Sequence, residues 1–194
     1  MPVRQDEHKA GRMMLSRRRL LQQTAGGAAL ALIAGATLGV TGGLAAELPA
    51  WTTADMPPLN GRKVIVTGGN GYPEGDTSGL GYQDALALAR AGADVTIASR
   101  NRERGDEAVR RMLAEVPGAT VRFEALNLAD LESITAFAER IRASGRGLDV
   151  LINNAGVMGR FDRETSVDGF ERVFATNTLG HFALTAQLLP LLRQ

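Results

Sequence analysis

The stretch Lys63-Val64-Ile65-Val66-Thr67-Gly68-Gly69, read with Gly79-Leu80-Gly81 and the Ala/Leu-rich run Ala85 to Ala91, decides the fold of this 194-residue chain. A short β-branched run that ends in paired glycines predicts a buried parallel strand and its turn. The Ala/Leu-rich run predicts a helix, closed by Gly92. The alternation then repeats. Val95 to Ser99 reads as a second strand, 103–115 as a helix, Pro117-Gly118 as a turn, and Val121 to Leu126 as a third strand. Leu131, Ile134, Phe137 and Ile141 recur at helical spacing behind a cap at Asp130, and Leu148 to Ile152 supplies a fourth strand. Thr165-x-x-Asp168 has the form of a capping box and predicts the start of a long helix, with Phe170, Val173, Phe174 and Phe182 on related faces. Strands alternating with helices specify a doubly wound parallel α/β sheet, and right-handed crossovers give the strand order 3-2-1-4.

The loop after the first strand carries Gly75-Asp76-Thr77-Ser78-Gly79-Leu80-Gly81. Glycines between a strand and a helix let the backbone approach closely, so that N–H groups and the helix N-terminus face a pyrophosphate. Ser99 lies 18 residues after Gly81, where an acidic residue would hold the ribose 2′-hydroxyl of NAD; here it is neutral, and Arg100 follows. A neutral residue removes repulsion of a 2′-phosphate and a guanidinium binds one, so the pair predicts NADP rather than NAD. Arg102 and Arg104 are placed either to assist or to form a solvated face.

Charge is unevenly distributed. Residues 1–19 hold six Arg/Lys and two acids, whereas from Glu47 onward there are 16 basic and 19 acidic residues. The body therefore has no electrostatic footprint for nucleic acid. Cysteine is absent and the histidines are only His8 and His181, which leaves no basis for a disulfide framework or a metal centre. Ser16-Arg17-Arg18-Arg19-Leu20-Leu21-Gln22 resembles a twin-arginine export signature, with Leu20 and Gln22 in place of the commoner Phe and Lys. Leu20 to Ala46 is uncharged, and 14 of the 23 residues from Thr24 to Ala46 are Gly or Ala, which makes a poor permanent membrane span. Residues 1–46 are accordingly read as a signal peptide directing the protein to the periplasm, with cleavage near 45–46. The alternatives are an uncleaved membrane anchor or a cytoplasmic protein. Residues 47–60, with Pro49, Pro57 and Pro58, read as a linker, and 61–194 as the domain.

The domain resembles the short-chain dehydrogenase/reductase family, and so implies a Rossmann-type sheet of which only the first four strands and the following long helix are present. The family pattern has Thr-Gly, three residues, then Gly-Ile/Leu-Gly; here ten residues separate Thr67-Gly68 from Gly79-Leu80-Gly81. Either Gly68 is the first glycine and seven extra residues bulge out, or Gly75 takes that place. Asn127-Leu128 stands where the family has Asp-Leu near the adenine. Asn153-Asn154-Ala155-Gly156 matches the stretch that stabilises the sheet and lines the cofactor. Asp168-Gly169-Phe170-Glu171 and Thr176-Asn177-Thr178-Leu179-Gly180-His181-Phe182 resemble the branch of retinol dehydrogenases and protochlorophyllide reductases. By that resemblance Asn177 is the helix-borne Asn of a catalytic proton relay; His181 is read as a packing or surface histidine rather than a base. The implied cofactor set is Gly68 or Gly75, Ser78, Gly79, Leu80, Gly81, Ser99, Arg100, Asn127, Leu128, Asn154, Ala155 and Gly156, without a metal.

The family's chemistry uses a Ser and a Tyr-x-x-x-Lys pair to move a proton at the oxygen of a carbonyl or alcohol substrate. Tyr72 and Tyr82 are followed four residues on by Asp76 and Leu86, and the lysines are Lys9 and Lys63. The chain is thus read as a reductase truncated before its catalytic residues, a homodimer or tetramer when complete. The contrasting reading is a non-catalytic dinucleotide-binding module or a decayed gene product. An unpaired fourth strand leads us to expect the segment 47–194 to be marginally stable.

Overall fold

In the computed structural model, the described residues are 52–71, 79–159 and 162–192. The signal-peptide reading of 1–46 and the first part of the linker lie outside them. The rest of the linker forms a turn of 3-10 helix at Thr53–Asp55, and Leu59 N–H donates to the Ala91 carbonyl at 2.7 Å.

Four parallel strands, β1 (Lys63–Thr67), β2 (Asp94–Ser99), β3 (Thr120–Ala125) and β4 (Val150–Ile152), form a sheet in the order β3-β2-β1-β4. This is the predicted 3-2-1-4. The period-two pleat divides β1 between two cores. Val64 and Val66 pack with Tyr82, Leu86, Ile97 and Met112 beneath α1 (Leu80–Arg90) and α2 (Arg102–Glu115). Ile65 faces the other way, joining Phe137, Ile134, Leu184 and Leu188 beneath α3 (Leu131–Ala143) and α4 (Gly180–Leu192). Burial on both faces explains why β1 reads as an unbroken β-branched run.

Three boundaries differ from expectation. The first helix starts at Leu80 rather than Ala85, because Gly79 is its N-cap and Gly81 sits inside its first turn. The fourth strand is shorter, since Leu148 is buried under the α3 side and the Asp149 carboxylate turns to accept from Lys63 N–H at 2.8 Å and from Arg62 at 2.7 Å. Those two bonds hold the Asp149 carboxyl below its ordinary range, the backbone donor being the larger influence.

The third is the predicted capping box, which does not open a helix. Thr165 instead forms an antiparallel bridge with Glu171, and the Asp168 carboxylate accepts from Leu131 N–H at 3.0 Å, tying this turn to the start of α3. The helix is capped at Glu171, whose carboxylate accepts from Val173 N–H at 2.8 Å and Phe174 N–H at 2.7 Å. Local pattern misplaced the start because Glu is not a favoured cap and the bridge is not local. Asp130 does cap α3, accepting from Ser133 N–H at 3.0 Å.

From Glu171 the chain makes one α turn (Arg172–Phe174), a π-helical stretch (Ala175–Leu179) and then α4. In the π stretch Gly180 N–H reaches back to the Ala175 carbonyl. Gly180 sits where a methyl group would overlap the backbone carbonyls of Leu128 and Ala175. Backbone cannot yield as a flexible side chain does, so Gly180→Ala should lower stability by about 1–3 kcal/mol and shift the π stretch. Chemical denaturation of the two proteins side by side measures this.

Candidate functional site

The loops that leave the C-terminal ends of β1 and β4 diverge to opposite faces of the sheet, which opens a crevice between them. A cleft of about 410 Å³ occupies that crevice. Gly68, Gly79, Leu80, Gly81, Ser99, Arg100, Leu128, Asn154, Ala155 and Gly156 line it, all of them expected from sequence. Gly75 and Ser78 fall outside the described residues. Asn127 is not among the lining residues; its carboxamide oxygen accepts from Ala129 N–H at 3.2 Å and so shapes the turn into α3. Asn70, Gly71, Ala98, Asn101, Leu126, Val157 and Thr176 line the cleft without having been anticipated, as does Arg104, which was given two readings.

The glycine cradle answers the question of loop spacing. Gly68 and Gly71 both adopt positive φ, at 72° and 70°. A methyl group on Gly79 would lie 3.3 Å from Gly71 Cα, so the backbone leaves at Gly71 and returns beside it at Gly79. With residues 72–78 set aside, Gly68 stands three residues before Gly79-Leu80-Gly81. Close packing explains why glycine is needed. A methyl on Gly68 would approach Ala155 Cα to 2.9 Å, and one on Gly81 would overlap the Asn154 carboxamide. Helix α1 has no side-chain cap and no acidic residue in its first turn, so its free N–H groups and positive end face the cleft.

The far wall is held by the Thr67 hydroxyl, which accepts from Asn154 N–H at 3.0 Å and Ala155 N–H at 2.9 Å. Asn154 also donates from Nδ2 to the Thr67 carbonyl at 2.8 Å. His181, buried in α4, lies with Nε2 3.0 Å from Thr67 Oγ1 and Nδ1 3.2 Å from the Asn177 carbonyl. A carbonyl only accepts, so the proton sits on Nδ1, and Nε2 takes the Thr67 hydroxyl proton. His181 is thus the packing residue expected. Asn177 clamps Val157: its Oδ1 accepts from Val157 N–H at 2.9 Å and its Nδ2 donates to the Val157 carbonyl at 3.0 Å. It acts on the cleft through Val157 rather than lining it.

At the other end, Ser99 Oγ and Thr176 Oγ1 are buried with no hydrogen-bond partner. Buried hydroxyls normally have one; the Tyr82 hydroxyl in the α1 core also lacks one, but Ser99 and Thr176 line the cleft and so are open to a ligand atom. A cradle of glycines, a free helix N-terminus, two orphaned hydroxyls and an arginine pair together match the donors that a dinucleotide requires.

The description short chain dehydrogenase matches residues 62–194. This chain belongs to that family. Mouse (Mus musculus) polyprenol dehydrogenase is 44% identical over 138 residues, covering 71% of this chain and 39% of that protein. Human (Homo sapiens) retinol dehydrogenase 13 is 40% identical over 160 residues, covering 80% and 46%. The solved Pseudomonas aeruginosa RhlG/NADP active-site complex superposes with a TM-score of 0.57 at 32% identity, covering 71% of this chain and 52% of that one. The chain therefore spans less than half the length of these curated relatives, and is an oxidoreductase-family Rossmann unit resembling retinol dehydrogenases.

Two outcomes test this geometry. Burial disfavours the charged imidazole and holds the His181 pKa below its ordinary 6.5, opposed by the smaller pull of the Asn177 carbonyl. The unfolded chain then binds the proton more readily, so stability is complete above pH 6.5 and declines as pH falls toward the lowered value. The carboxylates with lowered pKa, Asp55, Glu107, Asp149 and Glu171, lose their contributions only below their own ordinary values of 3.8 to 4.5. Thermal midpoints between pH 5 and 7 should therefore slope in the parent and flatten in His181→Gln. Second, excising residues 72–78 joins backbones that already meet, so the thermal midpoint should stay within a few degrees of the parent's.

Proposed function

We propose that this chain is the nucleotide-binding part of an NADP-dependent carbonyl/alcohol oxidoreductase. The observation that carries the choice of NADP is the orphaned Ser99 Oγ at the end of β2, with Arg100 beside it on the same cleft wall. The local charge supports the reading. Helix α2 opens with Arg102 and Arg104 at its positive end, where Glu103 is the acid of the first turn and a further anion is favoured. Arg100 and Arg104 both line the cleft, and a 2′-phosphate there relieves their repulsion while bonding to Ser99. The related RhlG structure was solved with NADP, which agrees.

Gly68, Gly71, Gly79 and Gly81 bring backbone N–H groups to the pyrophosphate, with the first turn of α1 behind them. Ala155, Gly156 and Val157, fixed by Thr67 and Asn177, orient the nicotinamide side. The dinucleotide supplies hydride transfer when bound. Proton transfer at the substrate oxygen falls to a Ser and a Tyr-x-x-x-Lys pair that these 194 residues do not contain. Tyr82 does not substitute: its ring is 2% exposed in the α1 core, and burial raises its pKa. On this reading the twin-arginine-like leader takes a folded, nucleotide-loaded protein to the periplasm, and the active form is a homodimer or tetramer.

Fluorescence titration with NADPH and NADH tests the choice. The chain should prefer NADPH, and Arg100→Ala should weaken NADPH roughly tenfold or more while leaving NADH unchanged. Ser99→Asp should reverse the preference. Equal affinity for the two nucleotides in the parent would sink the NADP assignment.

A further inference from the structure

Ser99 Oγ is accounted for by a 2′-phosphate, but the other orphaned hydroxyl of the cleft is not. Thr176 is 6% exposed, its Oγ1 has no partner, and it lines the same cleft as Ser99. It sits in the π-helical stretch Ala175–Leu179, beside Asn177, whose carboxamide grips Val157 on one wall. Four residues on, Gly180 rests against the Leu128 carbonyl. Thr176 shares the cleft lining with Leu126 and Leu128 and with Gly156 and Val157.

The distribution of polarity along the cleft says what should meet this hydroxyl. Arginines and Ser99 mark the phosphorylated ribose, and the glycine cradle marks the pyrophosphate. Between the ends of β2 and β3 the lining is apolar, supplied by Ala98, Leu126 and Leu128, which suits a flat base. Resting on the dinucleotide reading above, we propose that Thr176 Oγ1 is a binding residue for the adenosine half of the dinucleotide, bonding to a polar atom of that half inside this otherwise apolar slot. A threonine in a helix ordinarily satisfies its hydroxyl on the carbonyl one turn back. Here that bond is not made, and the hydroxyl remains available to a ligand.

The assignment predicts effects of opposite sign in the free and bound protein. Thr176→Val keeps the shape and removes an unsatisfied buried hydroxyl, so the free chain should melt at the same temperature or higher. Its affinity for 2′,5′-ADP and for NADPH should fall by about threefold to tenfold, the range expected for one hydrogen bond. Thr176→Ser, which restores the hydroxyl, should recover most of the affinity. Calorimetric titration of the full chain with 2′,5′-ADP reads the effect without any turnover. An affinity of the valine variant within about twofold of the parent overturns the assignment, and so does a loss that serine fails to recover. If the parent binds neither 2′,5′-ADP nor NADPH, the dinucleotide reading fails with it. If the parent binds and the variants do not differ, only the role of Thr176 fails.

Discussion

The hydroxyl of Thr67 is the constraint on which the site depends. A threonine oxygen has one proton to give and two lone pairs to offer. At the end of β1 all three are committed: Asn154 N–H and Ala155 N–H take the lone pairs, and the proton has His181 Nε2 at 3.0 Å and the Ile152 carbonyl at 3.3 Å as acceptors. Strand β1, the turn after β4 and the helix carrying Asn177 are thus joined at one buried atom. The Asn154 carboxamide then crosses to the Thr67 carbonyl, and its bulk dictates that Gly81 carry no side chain. Phosphate cradle and ribose wall are consequently set by one network rather than two. Replacing the hydroxyl by a methyl group would leave Ala155 N–H and one ring nitrogen without this partner, while Asn154 N–H would keep the Ile152 carbonyl at 3.1 Å.

The strand order gives that network its location. With β1 between β2 and β4, the chain leaves β1 toward the α1–α2 face and leaves β4 on the opposite side of the crevice. The two cores share β1, so neither packs without it. Among the described residues β4 pairs only with β1, and Val150, Phe174, Phe182 and Leu189 are large apolar side chains left exposed. Those features lie on the side of the sheet away from β3, whereas the glycine cradle and the Ser99–Arg100 corner sit at the densely packed β1–β2 side. Cofactor recognition is therefore built into the better-packed part of the unit.

Much of this was readable from sequence because it follows from short-range rules. The β-branched runs, glycine turns and Asp130 cap identified the sheet and its order, and counting from Gly81 located Ser99 and Arg100. What was not readable required contacts distant in sequence. Gly68 and Gly75 were equivalent by spacing, and only the return of the backbone beside Gly71 brings Gly79 next to the Gly68 turn. Thr165-x-x-Asp168 satisfied a local capping rule, but a bridge to Glu171 and a bond to the α3 N-terminus claimed those residues instead. Thr176 looked like any helical threonine. That its hydroxyl is orphaned depends on the π-helical turn and on Leu128, neither of which leaves a mark in the sequence.

The division between binding and chemistry has a thermodynamic consequence. Among the described residues, those that line the cleft run from Gly68 to Thr176, so their contacts to a dinucleotide are local to this stretch. Among the described residues, Asn177 and Val157 hold each other through two hydrogen bonds, on the side of the site where β4 pairs with β1 alone. A ligand that binds only the folded form stabilises it by mass action, in proportion to the logarithm of its concentration over its dissociation constant. Where a ligand orders the Asn177–Val157 wall as it binds, part of the binding energy is consumed in that ordering, and the measured affinity falls below that of the same contacts on a rigid frame. The adenosine end meets that wall only through Thr176, because Ser99 and Arg100 sit at the end of β2. Fragments that occupy only that end should therefore retain a larger share of the dinucleotide's affinity than their contact area alone implies.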